Sequence, residues 1–201
     1  MCHRVRNVNK TGEAEVHIDP YDNSWPQSFE RERSVLAQAI GDYIVGTIEH
    51  VGSTAVPGLA AKPVIDIMVG VESLAASQPA LRILESLEYF YFPYRADVMH
   101  RFCKPSPRLR SHHLHLVAFK GRVWIERIAF RDYLRNHSDV AADYVILKQQ
   151  LAARFRFDRE AYTIAKGPLC SPGRRTGIGT PRPVRAHRRL NGRAGEHGAL
   201  N

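Results

Sequence analysis

Apolar residues return along this chain at two spacings, and the changes between them mark out the elements. Residues 15–18 alternate and predict a short edge strand, ended by Asp19-Pro20. A helix is expected from about Ser24, with Pro26 in its first turn; Phe29, Leu36 and Ile40 follow at helical spacing, and Gly41 ends it. Residues 43–51 are rich in β-branched residues and predict a strand. A Gly/Pro-rich loop leads to a second strand at 64–71. The pattern then predicts a helix at 79–87 with Leu81, Leu84 and Leu87 on one side, and an aromatic strand at 89–94. A basic, proline-bearing loop at 104–110 precedes a strand at 113–117, and a further strand is expected at 123–125. The rest of the folded part reads as helical. Ser138 is a suitable N-cap for the stripe Val140, Tyr144, Leu147, Leu151 and Phe155, and Asp158 for a short helix through Lys166. Lys148 and Lys166 are expected at the solvated surface.

From residue 171 large apolar residues nearly vanish. Gly, Pro and Arg dominate, and such a segment does not bury enough surface to offset its chain entropy. The expected organisation is a flexible N-terminus at 1–14, one domain at 15–170 and a disordered basic tail at 171–201. The tail holds seven arginines, no lysine and one glutamate, about two thirds of the net charge of +9. The basic balance is therefore mostly a property of the tail, and it does not point to nucleic acid as a partner of the folded domain. The tail also lacks the aromatics that base stacking needs. Cys2, Cys103 and Cys170 are far apart and form no C-x-x-C pair, which argues against a disulfide framework and a cysteine zinc site. No apolar run reaches the roughly 20 residues that span a bilayer. The expected location is the cytoplasm, with no membrane contact.

The chemistry concentrates between residues 50 and 71. Gly52 permits close backbone approach, and Ser53 places a hydroxyl beside exposed amides, as in a turn that cradles phosphate oxygens. Lys62 adds a positive charge. Asp66 is the single carboxylate in an otherwise hydrophobic strand, a position that is costly without a task or a partner. A phosphate cradle beside a strand carboxylate is what metal-assisted nucleotidyl transfer requires. His113 and His115 lie two apart, so they share a strand face that a neighbouring Asp66 can meet; His112 points away.

The segments HVGSTAVPGLAAKPVIDIMV (50–69), HHLHLV (112–117), FRDYLRNH (130–137) and DREAYTIAK (158–166), with DPYDNSWPQSFERE (19–32), resemble the GrpB (UPF0157) family. That family is similar to the nucleotidyltransferase superfamily of polymerase-β-like enzymes and aminoglycoside nucleotidyltransferases, and it also occurs fused to dephospho-CoA kinase. The resemblance implies an α/β (α+β) fold, a small mixed sheet flanked by helices with a helical C-terminal part. It matches Gly52-Ser53 to the superfamily's turn and Asp66 to the first acid of an acid-x-acid pair. Position 68, where the second acid falls, is Met68, and the later strand offers His113 and His115 in place of a third acid. One carboxylate holds two Mg²⁺ poorly. Asp66 with two imidazoles suits Mn, Zn or Ni better than Mg.

Two functions follow from these residues. One is a metal-dependent nucleotidyltransferase-like enzyme acting on an unknown acceptor. Here Asp66 is catalytic and, with His113 and His115, a metal ligand, while His50, Gly52, Ser53, Lys62 and Arg131 bind nucleotide phosphates. The other is a non-catalytic module that binds a nucleotide or a CoA-like ligand, favoured by Met68. At the residue level, His50 either contacts substrate or braces the loop. Asp66 is either a ligand or half of an ion pair with Lys62 or Arg131. Arg131 either binds phosphate or pairs within its own helix start.

Overall fold

The structure is a computed structural model that describes residues 14–166. The segments 1–13 and 167–201, including the expected basic tail, lie outside the described residues. The first helix, α1 (Trp25–Ile40), has Pro26 in its first turn and buries Trp25, Phe29, Leu36 and Ile40 on one face. Then follow β1 (Ile48–Val51), β2 (Ile65–Val71), α2 (Gln78–Ser86), β3 (Phe90–Tyr91), β4 (His100–Pro105) and β5 (Arg110–Ala118). Three helices close the described chain: α3 (Arg122–Asn136), α4 (Ser138–Arg154) and α5 (Arg159–Lys166).

The strands form one mixed sheet in the order β1-β2-β5-β4-β3. Only the central pair, β2 with β5, is parallel; the other pairs are antiparallel. Strand alternation divides the sheet into two faces. Ile65, Ile67, Val69, Val71, Leu114, Leu116 and Phe102 face α1 and α2 and form the main core. Met68 and Val117 face the other way, with Val51, Met99, Val123 and Trp124, against α3. Asp66, His113 and His115 share this second face.

The architecture is the mixed α/β sheet flanked by helices, with a helical C-terminal part, that the family resemblance implies. Several elements differ. Residues 15–18 form no strand: the Val16 amide donates to the Arg156 carbonyl at 2.7 Å, and an isolated bridge joins Asp19 to Ala61. The strand expected at 43–51 shrinks to Ile48–Val51, because residues 41–43 make a turn of 3₁₀ helix and Gly46 has φ +90°, outside the strand region. The aromatic strand at 89–94 is only two residues long, while β4 takes in Lys104 and Pro105 of the expected basic loop. Residues 123–125 lie inside α3: Val123 and Trp124 are buried but Ile125 is 57% exposed, the one-sided burial of a helix. His137, not Ser138, is the N-cap of α4. Asp158 does cap α5, accepting from the Ala161 amide at 2.9 Å. Lys148 is not on the surface. It is 1% exposed, donates to the Ala60 carbonyl and so ties α4 to the loop before β2.

Candidate functional site

Asp66 stands at the second position of β2, directly opposite His113 in the parallel pairing with β5. Gly52 follows β1 with φ +74° and ψ −170°, a conformation that favours glycine, and a Cβ there would overlap the Asp66 carboxylate. The turn and the acid are therefore built against each other. Ser53 opens the short 3₁₀ turn that follows.

The His113 Nδ1 lies 3.0 Å from Asp66 Oδ1, and the His115 Nε2 lies 3.8 Å from the same oxygen. One ligand atom from each of the three residues falls within 4.8 Å of the others. The histidine side chains are 9% and 4% exposed, while Asp66 keeps 26%, so the carboxylate is the solvent-facing member. Burial works against the charge on Asp66, but the hydrogen bond from His113 and the nearness of His115 outweigh it and hold the carboxyl well below the usual carboxylate range. Burial pushes His113 down to about 4, against the pull of Asp66. It pushes His115 down to about 3, helped by the charge of Arg127. At neutral pH the trio is thus one carboxylate and two neutral imidazoles. With Asp66 ionised, His113 Nδ1 carries the proton and donates, so Nε2 holds the lone pair. That His113 Nε2 and both nitrogens of His115 are buried without a hydrogen-bond partner. Buried imidazole nitrogens left unpaired are costly, and a cation is the ligand that neutral imidazole and ionised carboxylate satisfy together. The donor set fits a divalent transition metal.

The remaining predicted residues separate into two groups. Lys62 acts electrostatically on both Asp66 and His113, with its ammonium 4.6 Å from the centre of the Tyr162 ring. Burial, then the charges of Lys166 and Arg159, hold that ammonium well below the usual lysine range. His50 and Arg131 lie elsewhere, at the β1 edge. His50 stacks on Phe29 of α1, ring centres 4.7 Å apart, on the opposite sheet face from Asp66. The Thr54 hydroxyl donates to the Val64 carbonyl at 3.1 Å, so His50 Nε2 is the donor in its 3.0 Å bond to Thr54 Oγ1. This braces the turn against the start of β2. Arg131 sits in the interior of α3 rather than at a helix start; it donates to Glu49 at 2.7 Å, Asp132 at 2.8 Å and the His50 carbonyl at 3.1 Å. Neither Lys62 nor Arg131 forms an ion pair with Asp66, whose partners are the histidines. His50 and Arg131 line a separate cavity of about 400 Å³ with Tyr21, Phe29 and Arg135. Met68 is fully buried among apolar side chains under α3.

Arg101 is the neighbour that sequence reasoning missed. It lies opposite His115 in the β4–β5 pairing, on the same face as the trio. No pattern predicted β4, so nothing in the sequence placed it.

A family model described as GrpB protein matches residues 15–172. The chain belongs to the GrpB family. It is 37% identical over 164 residues to the glutamate-rich protein GrpB of Alkalihalophilus pseudofirmus, covering 79% of this chain and 92% of that protein. It is 38% identical over 155 residues to a UPF0157 protein of Pseudomonas aeruginosa, covering 75% of this chain and 63% of that one. The crystal structure of conserved protein GrpB from Enterococcus faecalis superposes with a TM-score of 0.69 at 31% identity, covering 77% of this chain and 94% of that chain. A protein named dephospho-CoA kinase, from Mycolicibacterium paratuberculosis, matches at 30% identity over 81% of this GrpB chain; the match spans 46% of that protein's own length. Among the described residues no helix is long and apolar enough to cross a membrane.

Proposed function

We propose that this GrpB-family chain is a metal-dependent nucleotidyltransferase-like enzyme centred on Asp66, His113 and His115. The observation that carries this reading is the trio with its buried, unpartnered imidazole nitrogens, built directly against the Gly52–Ser53 turn. The carboxylate of Asp66 and the imidazoles of His113 and His115 would hold a divalent ion, and Mn²⁺ or a softer ion suits them better than Mg²⁺. Such an ion would supply Lewis-acid neutralisation of phosphoryl charge. The protein's own residues do the rest. The amides of the Gly52 turn and the Ser53 hydroxyl orient phosphate oxygens, and Lys62 adds positive charge from the other end of the loop. His50 and Arg131 hold the turn and β1 in place from the sheet edge, which supports a bracing role for both.

The 201-residue chain incubated with each common nucleoside triphosphate and Mn²⁺ is expected to release pyrophosphate slowly, with water standing in for the acceptor and taking the nucleotidyl group, so that nucleoside monophosphate appears in equal amount. Asp66→Asn is expected to lower that rate at least about 100-fold while retaining the fold. Equal rates for the two proteins would remove the catalytic reading.

A second reading is a non-catalytic module that binds a nucleotide or a CoA-like ligand. Met68, sealed in the apolar cluster where a second acid is expected, favours it, and the similarity to a protein named dephospho-CoA kinase supports the CoA-like ligand. It predicts binding without turnover, largely unchanged by Asp66→Asn.

A further inference from the structure

β1 ends the sheet order, and no strand lies beside its outer edge among the described residues. The Gly70 amide donates to the Thr47 carbonyl at 3.5 Å, so Thr47 turns its main-chain groups toward β2. Along an antiparallel ladder these directions alternate, which turns Glu49 and Val51 inward and Ile48 and His50 outward. In agreement, the His50 carbonyl accepts from the Arg131 side chain at 3.1 Å. The Ile48 amide and carbonyl and the His50 amide stay on the edge, and such a row is a template for another extended chain. The cavity of about 400 Å³ is lined by Ile48, Glu49 and His50, so the edge borders a space of ligand size. Its charged walls are mostly paired: Arg33 with Glu30 and Arg131 with Glu49, each at 2.7 Å. Arg135 differs. Its Nε and Nη2 are spent on the neutral Ala55 carbonyl, and its Nη1 lies 3.5 Å from Asp132, which Arg131 already holds at 2.8 Å. Its side chain is 39% exposed.

We propose that this edge cleft binds an extended peptide, which adds to β1 as a further strand and sets a carboxylate against Arg135. Three outward main-chain groups at strand spacing are matched by the main chain of a peptide, which supplies donors and acceptors at the same repeat. Side chains of the added strand alternate between two walls. One wall is Phe29 of α1 with the His50 ring, which suits an apolar side chain; the other carries Glu49, Arg131 and Arg135, where the carboxylate belongs. A guanidinium takes a carboxylate through paired donors. The segment 171–201 of this chain, with seven arginines and one glutamate, is a poor match for that wall.

Fluorescence polarisation of the 201-residue chain against labelled positional-scanning hexapeptides tests this, without metal or nucleotide, so its outcome is independent of the metal reading. Peptides with Asp or Glu fixed at one position are expected to bind at least about tenfold tighter than the matching Asn or Gln peptides. Free and amidated C-termini tell a terminal carboxylate from a side chain. N-methylation of alternate amides in the tightest peptide is expected to weaken it at least about tenfold, because it removes main-chain donors. Arg135→Gln should lose the preference for acid and Arg135→Lys should keep it. In ¹⁵N spectra the peptide should shift the Ile48 and His50 amides and leave that of Met68 in place. No binding at about 1 mM peptide, equal binding of the N-methylated peptide, or an acid preference unchanged in folded Arg135→Gln would each overturn the proposal. So would a stable dimer of this chain closed over the β1 edge.

Discussion

A methyl group at residue 52 would occupy the space that the Asp66 carboxylate holds, and the left-handed φ of +74° adds backbone strain for any L side chain. Gly52→Ala is therefore expected to cost about 1–3 kcal/mol of stability and to displace Asp66 from His113. Urea unfolding measures the first, and loss of Mn²⁺ binding in the folded variant measures the second. Arg131→Ala should behave differently. Its partners are Glu49, Asp132 and a β1 carbonyl, so it is expected to lose about 1–3 kcal/mol of stability with nucleoside triphosphate affinity unchanged. A loss of that affinity of about tenfold or more without loss of stability would return Arg131 to phosphate binding.

At the scale of elements, the trio was legible because β2 and β5 announce themselves. Asp66 interrupts an apolar run, and His113 and His115 alternate with Leu114 and Leu116, so one buried face and one chemical face could be read from period two alone. That β5 lies beside β2 was not readable from either strand; it follows from a crossover containing α2, β3 and β4. The strand β4 stayed hidden because its sequence mixes His100, Arg101 and Lys104 with Phe102 and Cys103, and Arg101 went with it. The apolar run Val123–Ile125 was too short for period to separate helix from strand; it lies in the first turn of α3, which follows Gly121 as N-cap. Lys148 was misplaced because a buried lysine needs a carbonyl that sequence spacing does not supply, here Ala60, 88 residues away.

For the molecule as a whole, acid is expected to destabilise the fold. His50, His113 and His115 have folded values of about 4, 4 and 3, all below the usual imidazole range. Between roughly pH 6.5 and 4 the unfolded chain binds protons that the folded chain refuses, so stability falls as pH falls through that window. His50 alone would contribute a loss of about 3 kcal/mol. Urea midpoints at pH 7 and pH 4.5 measure it; equal midpoints would mean that these histidines are solvated. Metal acts in the opposite direction. Mn²⁺ at about 100 times its dissociation constant should add about 2.7 kcal/mol to the wild type and nothing to Asp66→Asn. The most direct measurement is an anomalous diffraction map from crystals of this protein soaked in Mn²⁺. The account predicts a peak bonded to the Asp66 carboxylate, His113 and His115, beside Gly52. A map with no peak among those three residues at saturating Mn²⁺ would contradict it.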